Sequence, residues 1–347
     1  MSIFDEEDFE DINKHSITIN MTNTFNITVT TVSPLSQQIG EKKQRKRYRF
    51  EDDQFYNEPI FSANGIRGIL RRIMTKDMVS KINKKVPNFK LKAEEFYLYT
   101  SGSATDKKSI DKLTWSQIPI IRANAPILSL FGAGLSGING KCAVDDLTPI
   151  SSMKVFKIFE KDGIETKRII PLTQEQIFFR MNDYAQSTNL KELVDEEDIA
   201  KWEKEHLKSV KSSKELKKNG EIKKETESNI SQIINIESII PNVTMSSSIN
   251  PLYGQEFTDI EIGLILKALL ELSNMQIGSH KRLGYGVLDW HIELNSQTMF
   301  SAISDKDYIF NKTINISKPC KEYINIYDKW ADEHYDKNID IESLLKK

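Results

Sequence analysis

The chain has 347 residues, 39% of them hydrophobic and 28% charged, and its 48 Lys and Arg against 50 Asp and Glu leave a formal charge of −2. That size and balance fit a soluble protein of one large domain or two, with a sizeable core and some solvated insertion. No apolar run approaches the roughly 18 residues of a membrane span. Cys142 and Cys320 are far apart and unpatterned, which excludes a disulfide framework and favours a reducing cytoplasm.

Residues 1–14 form an acidic tail that lacks the basic and apolar regions of a secretory signal. Residues 16–32, SITINMTNTFNITVTTV, place apolar side chains on one parity and Thr or Asn on the other, the period of a long strand with one buried face. The stretch 34–58 is polar, aperiodic and basic, with KKQRKRYR at 42–49, and reads as a mobile loop. Its cations against a neutral average point to an anionic partner on one face. From Asn64 onward, Ile66, Ile69, Leu70 and Ile73 recur at helical spacing, with Ser62 or Asn64 as the cap.

Apolar runs at 95–100 and 117–131 read as strands. Residues 188–228 are about half charged and read as an exposed insertion. IINIESIIPNVTM, from 233, reads as a strand. Thr258 and Glu261 form a capping box ahead of an apolar helix over 259–272, and a strand follows at 287–294. Beyond 300 the chain is polar with scattered aromatics and reads as a tail over 301–347. Strand, basic helix, strands with insertions, strand, helix, loop, strand is the order of an α+β fold with a ferredoxin-like (RRM-like) core. That core spans 15–300, with insertions at 33–58, 81–125 and 150–235.

Several chemistries fail on their residues. FGAGLSG at 131–137 satisfies G-x-G-x-x-G, but a dinucleotide fingerprint needs a helix opening at those glycines, and INGKCAVDDLTP has no helical period. The five histidines form no H-E-x-x-H pair and have no Cys-x-x-Cys companion. Neither a G-x-S-x-G elbow nor a Walker loop occurs. No cofactor, metal or catalytic set is expected.

Two basic stretches carry more. In the helix from 64, Arg67 and Arg71 share a face and Arg72 flanks them, while Gly65 and Gly68 leave the first turn open to a ligand. A helix start offers free N–H groups to phosphate, and arginines on the same turn add bidentate contacts. The second stretch, IGSHKRLGYGVLDW at 277–290, combines three glycines with His280, Lys281 and Arg282, and with Tyr285 as a stacking face. In a ferredoxin-like core both helices lie on one side of the sheet, so the two stretches make one track for an anionic polymer. Lys43, Arg45 and Arg47 of the basic segment extend it.

These residues resemble a known family. IFSANGIRGILRR is similar to the I-P-x-x-S/N-x-x-R-G-x-x-R-R stretch of RAMP-superfamily CRISPR proteins, and IGSHKRLGYGVL resembles their glycine-rich loop. IIPNVTMSSSI with FTDIEIGLILKALLEL looks like their strand and second helix, and FGAG…GKCAVDDLTP like a stretch of the backbone subunits. Asn64 in SANGIRG, and IPLTQEQIFFRMNDY before a thumb-like region, make type IV backbone subunits most similar, with type III next and type I behind those.

The resemblance implies a hand-like protein, with finger and thumb-like elements on an RRM-like palm, that polymerises along a guide RNA. Its partners would be the guide RNA, a DNA or RNA target paired to it, copies of itself and other CRISPR effector subunits. The RNA-binding residues would be Asn64, Arg67, Arg71, Arg72, His280, Lys281, Arg282, Tyr285, Lys43, Arg45 and Arg47. Type III relatives cut target RNA with an aspartate in the loop after the first strand. Here that loop holds Asp52 and Asp53 beside Glu51 without flanking glycines, so a non-catalytic scaffold is expected. Two alternatives stay open: a type III-like nuclease using those aspartates, and a stand-alone RNA-processing enzyme using His280 as base.

Overall fold

A computed structural model of the chain describes residues 23–39, 43–51, 54–102, 117–133, 138–150, 154–161, 164–181, 197, 201 and 230–335. In chain order the elements are β1 (Phe25–Thr31), β2 (Gln38–Ile39), β3 (Lys43–Gln44), β4 (Lys46–Glu51), β5 (Gln54–Pro59), α1 (Ala63–Lys85), α2 (Ala93–Ser101), α3 (Gln117–Asn124) and α4 (Pro126–Phe131). There follow β6 (Cys142–Val144), β7 (Thr148–Pro149), β8 (Lys154–Lys161), β9 (Ile164–Pro171), β10 (Thr173–Met181), β11 (Ile230–Ile239) and β12 (Thr244–Pro251). The remainder is α5 (Asp259–Ser273), β13 (Leu288–Leu294), β14 (Gln297–Ser304), β15 (Lys312–Ile316) and α6 (Lys318–His334).

The central sheet runs β15-β14-β13-β1-β12-β6, with β7 also on β12, and every pairing is antiparallel. Its core, β1-α1-β6-β12-α5-β13 with strand order β13-β1-β12-β6, is the ferredoxin-like arrangement. Period-two burial explains the layering. Phe25, Ile27 and Val29 are buried and Asn26, Thr28 and Thr30 are not, while Leu288, Trp290, Ile292 and Leu294 do the same on β13. The helices cover the apolar face. α1 contributes Leu70, Met74, Met78 and Ile82, and α5 contributes Ile265, Leu266 and Leu269, all buried in one cluster. The Thr258–Glu261 capping box is present, and Ser62 caps α1.

Residues 175–237 form a second compact unit, distinct from 1–174 with 238–347. Most of the paired strands β10 and β11 belong to it. β8 and β9 pair in register from Lys154–Pro171 to Lys161–Ile164.

Four readings need correction. The segment 34–58 is not a loop throughout, because β4 and β5 pair from Lys46–Pro59 to Glu51–Gln54. The runs at 95–100 and 117–131 are helical, in α2, α3 and α4. The stretch from 233 holds two strands, β11 and β12, separated by a turn in which Asn242 takes φ 64°. The expected C-terminal tail instead adds β15 to the sheet and α6 to the helix layer. Buried Cys320, Tyr327 and Ala331 fix that helix, and the Tyr327 hydroxyl donates to Asp77 of α1 at 2.8 Å. Lys81 pairs with Asp328 and Asp332, both at 2.9 Å, and Lys267 with Asp77 at 2.8 Å and Asp328 at 2.6 Å. Burial alone would lower the Lys81 pKa, but these two carboxylates outweigh it and raise it.

Candidate nucleic-acid interface

Strand direction gathers the basic stretches at one rim of the sheet. β1 ends there at Thr31, β12 and β13 begin there opposite Thr30 and Thr31, and β14 ends where β15 begins, Ser304 opposite Lys312. At about 4.8 Å per strand, the six strands make the rim roughly 24 Å long.

Residues 33–37, leaving β1, brace both sequence motifs. On one side Val287 N donates to Ser33 Oγ at 2.9 Å, Gly286 N to Pro34 O at 2.8 Å, and Ser279 N to Ser36 O at 2.7 Å. On the other side Gln37 Oε1 accepts from Ser62 N at 2.6 Å and Gln37 Nε2 donates to Ser62 Oγ at 2.8 Å. The glycine loop and the start of α1 therefore flank one connector, although more than two hundred residues separate them. The glycines serve this brace more than they open a path to a ligand. A Cβ on Gly278 (φ 83°) would sit 2.3 Å from Ser36 O, and one on Gly286 (φ 83°) 1.9 Å from Ile277 O.

The predicted cations separate into free and committed groups. Lys281 and Arg282 are exposed on a 3₁₀ turn, Lys281–Leu283. Arg72, Asn64 and Lys43 are also exposed, whereas Arg67 and Arg45 are half-buried. Arg67 Nε is buried with no hydrogen-bond partner.

Arg71 corrects the expectation of a solvent-facing arginine pair. It is 5% exposed. Its Nη1 donates to Leu98 O at 3.2 Å and Tyr99 O at 3.0 Å, and its Nη2 to Phe131 O at 2.8 Å and Gly132 O at 2.5 Å. These are carbonyls at the C-terminal ends of α2 and α4, where carbonyls run out of partners within the helix; Leu98 O also accepts from Gly102 N at 3.0 Å. Burial, with Arg67 nearby, brings its pKa down to about 10, so it stays charged at neutral pH while bolting three helices together. Tyr285 is a second correction: at 4% exposure it presents no free ring to a base. Burial raises its pKa, and His280, in the left-handed region at φ 58°, meets its ring edge-on at 6.0 Å.

The start of α1 already holds a carboxylate. Ser62 Oγ accepts from Gly65 N at 3.2 Å, and Asp146 Oδ1 from Ala63 N at 2.7 Å. Arg47 lies 3.0 Å from Glu58 and 4.0 Å from Asp146, so this cation is largely matched within the fold. The other polar residues of GKCAVDDLTP are structural too. Lys141 pairs with buried Glu261 at 3.2 Å, and Asp145 accepts from Ser248. Asp145, Asp146, Arg47, Ser246 and Glu293 border a cleft of about 690 Å³ on the face of the sheet opposite the helices.

The β4–β5 hairpin gave no sequence signal beyond its charge, yet it presents Lys46 beside Tyr48, whose ring is 77% exposed. Of the glycine motif at 131–137, residues 134–137 lie outside the described ones, and its first glycine ends a helix. Gly132 caps α4 at φ 71°, and an Ala133–Ile138 bridge leads toward β6. His291 lies on β13, 3.3 Å from Glu293, and His334 stacks on Trp330 with centroids 4.9 Å apart. Asp52 and Asp53 lie outside the described residues, as does Lys42.

No protein-family model and no curated protein matches the chain. Among solved structures it is similar to a chain of a Type IV-B CRISPR complex, at a TM-score of 0.43 and 14% identity, over 79% of this chain and 90% of that one.

Proposed function

We propose that the chain is a guide-RNA-binding backbone subunit of a class 1 CRISPR ribonucleoprotein. In this reading the rim grips the sugar-phosphate backbone of the guide and leaves its bases for a DNA or RNA target, so sequence is read by pairing and not by the protein. Successive copies lie along one guide beside other effector subunits, and the subunit itself binds without cutting. The observation that supports this is the brace at 33–37. It sets the two stretches that resemble RAMP-superfamily motifs on either side of one connector, with Lys281 and Arg282 exposed beside it.

The test is affinity for single-stranded RNA after Lys281→Ala with Arg282→Ala. A hydrogen bond to a charged group contributes about 1.5–3 kcal/mol, so losing both weakens binding at least about tenfold. Both side chains are exposed, and thermal stability should not change. Equal affinity of wild type and variant, or a wild type that binds no RNA, would refute the proposal.

A further inference from the structure

The stacking surface expected of Tyr285 is missing, because that ring faces inward. An exposed pair of rings stands next to the same loop. The β14–β15 turn carries Tyr308, 70% exposed, and Phe310, 62% exposed. A Cβ built on Gly284 would lie 3.9 Å from Phe310 Cζ, so the ring borders the loop that bears Lys281 and Arg282. Single exposed apolar residues need no explanation. Two exposed rings in one turn, beside two exposed cations, do.

The turn is rigidly built. Asp305 Oδ1 accepts from Asp307 N at 2.8 Å and Tyr308 N at 3.4 Å, while Asp305 N donates to Asn311 O at 2.8 Å and Asn311 N to Tyr308 O at 2.8 Å. Below it, Lys312 Nζ donates to Ser273 O and, at 2.6 Å, to Leu288 O, which ties the turn to the end of α5 and the start of β13. Such anchoring fixes the backbone of the turn, so little backbone entropy is lost when a flat ligand settles on it. The Asp305 carboxylate is turned onto the turn's own N–H groups, and Lys306 with Lys312 matches the two charges of Asp305 and Asp307.

We propose that Tyr308 and Phe310 form, with Lys281 and Arg282, a platform on which an unpaired RNA base stacks while the two cations hold the flanking phosphates. Every base has a π face, so this contact is indifferent to sequence, as a guide-binding protein requires. It extends the track to the β15 end of the rim, beyond the stretches that resemble family motifs. The inference rests on the rim being the RNA surface, and its test separates the two claims.

Labelled oligouridine is titrated against wild type, Tyr308→Ala with Phe310→Ala, Phe310→Leu, Phe310→Tyr, and Lys281→Ala with Arg282→Ala, each first checked by thermal unfolding. A matching strand of abasic residues is titrated in parallel. The double aromatic variant should bind oligouridine about five- to a hundredfold more weakly, with the slope of log affinity against log salt unchanged. Leu at 310 should fail and Tyr should hold, and the abasic strand should not distinguish wild type from the aromatic variants. If the aromatic variants bind like wild type while the cation variant loses affinity, the platform is wrong and the rim reading survives. A wild type that binds neither strand overturns both. Full rescue by Leu, with altered self-association, would identify a protein-docking patch instead and also overturn the platform.

Discussion

Replacing Arg71 by Ala separates a structural arginine from a ligand-binding one. The guanidinium donates to four main-chain carbonyls, from Leu98, Tyr99, Phe131 and Gly132. At about 1.5–3 kcal/mol for each bond to a charged group, a plain sum gives about 6–12 kcal/mol, more than single substitutions deliver. Water entering the vacated space satisfies part of the loss, and removing one partner from a buried charged network costs about 3–5 kcal/mol. At about 2–4 °C per kcal/mol, the melting temperature should fall by about 6 °C or more. Arg71→Lys should recover less than half, since an ammonium cannot span four carbonyls at the ends of two helices. The assay is thermal unfolding by circular dichroism, paired with RNA titration at a temperature where the variant is folded. RNA affinity there should match wild type within about twofold. A variant of unchanged melting temperature that loses RNA binding would refute the bolt and return Arg71 to the ligand surface.

The same division applies to the basic segment: Lys43→Ala should flatten the slope of log affinity against log salt by about 0.7 for the phosphate that is no longer neutralised. Arg47→Ala should mainly reduce stability, because Arg47 pairs with Glu58 and Asp146; a flatter slope for Arg47→Ala alone would reverse that assignment. Cys320 is fully buried and burial pushes its thiol up to about 11, so it should not be alkylated by iodoacetamide in the native protein at pH 8; rapid labelling of Cys320 read by mass spectrometry would mean that the helix layer opens. Asp52→Ala with Asp53→Ala should leave RNA binding intact, and wild type should produce no divalent-metal-dependent target fragments. Regularly spaced fragments that vanish in that variant would make this subunit a nuclease.

Local signals were legible in the sequence, and the contacts made across the fold were not. The helix cap and the Thr258–Glu261 box are set by neighbours within three residues; the box occurs as read, and of the two cap candidates Ser62 is the cap and Asn64 is not. The alternation over 16–32 located β1 at 25–31, although 16–22 lie outside the described residues, and the strand read at 287–294 is β13; the order of elements led to the ferredoxin-like core. Short apolar runs misled at 95–100 and 117–131, because a run of that length fits a buried strand or one side of a short helix. Arg71 shows a deeper limit. Helical periodicity gives a face, and nothing within α1 reveals that α2 and α4 close over that face with their carbonyls.

For α6 the signal was present: Ser317 as cap, Pro319 in the first turn, and Cys320, Tyr327 and Ala331 at i, i+7 and i+11. Charged residues between them hid the stripe. Phe310 and Tyr308 gave no sequence signal, since only the pairing of β14 with β15 brings their turn to the rim.

The central claim is that the rim holds RNA. Ultraviolet cross-linking of the protein to a guide RNA, followed by mapping of the linked peptides, tests it most directly. Cross-links should concentrate in peptides spanning 277–287 and 62–72, on either side of the 33–37 connector. Cross-links confined to the sheet face opposite the helices, around Thr28, Ser246 and Glu293, or none at all from a strand that binds, would contradict it.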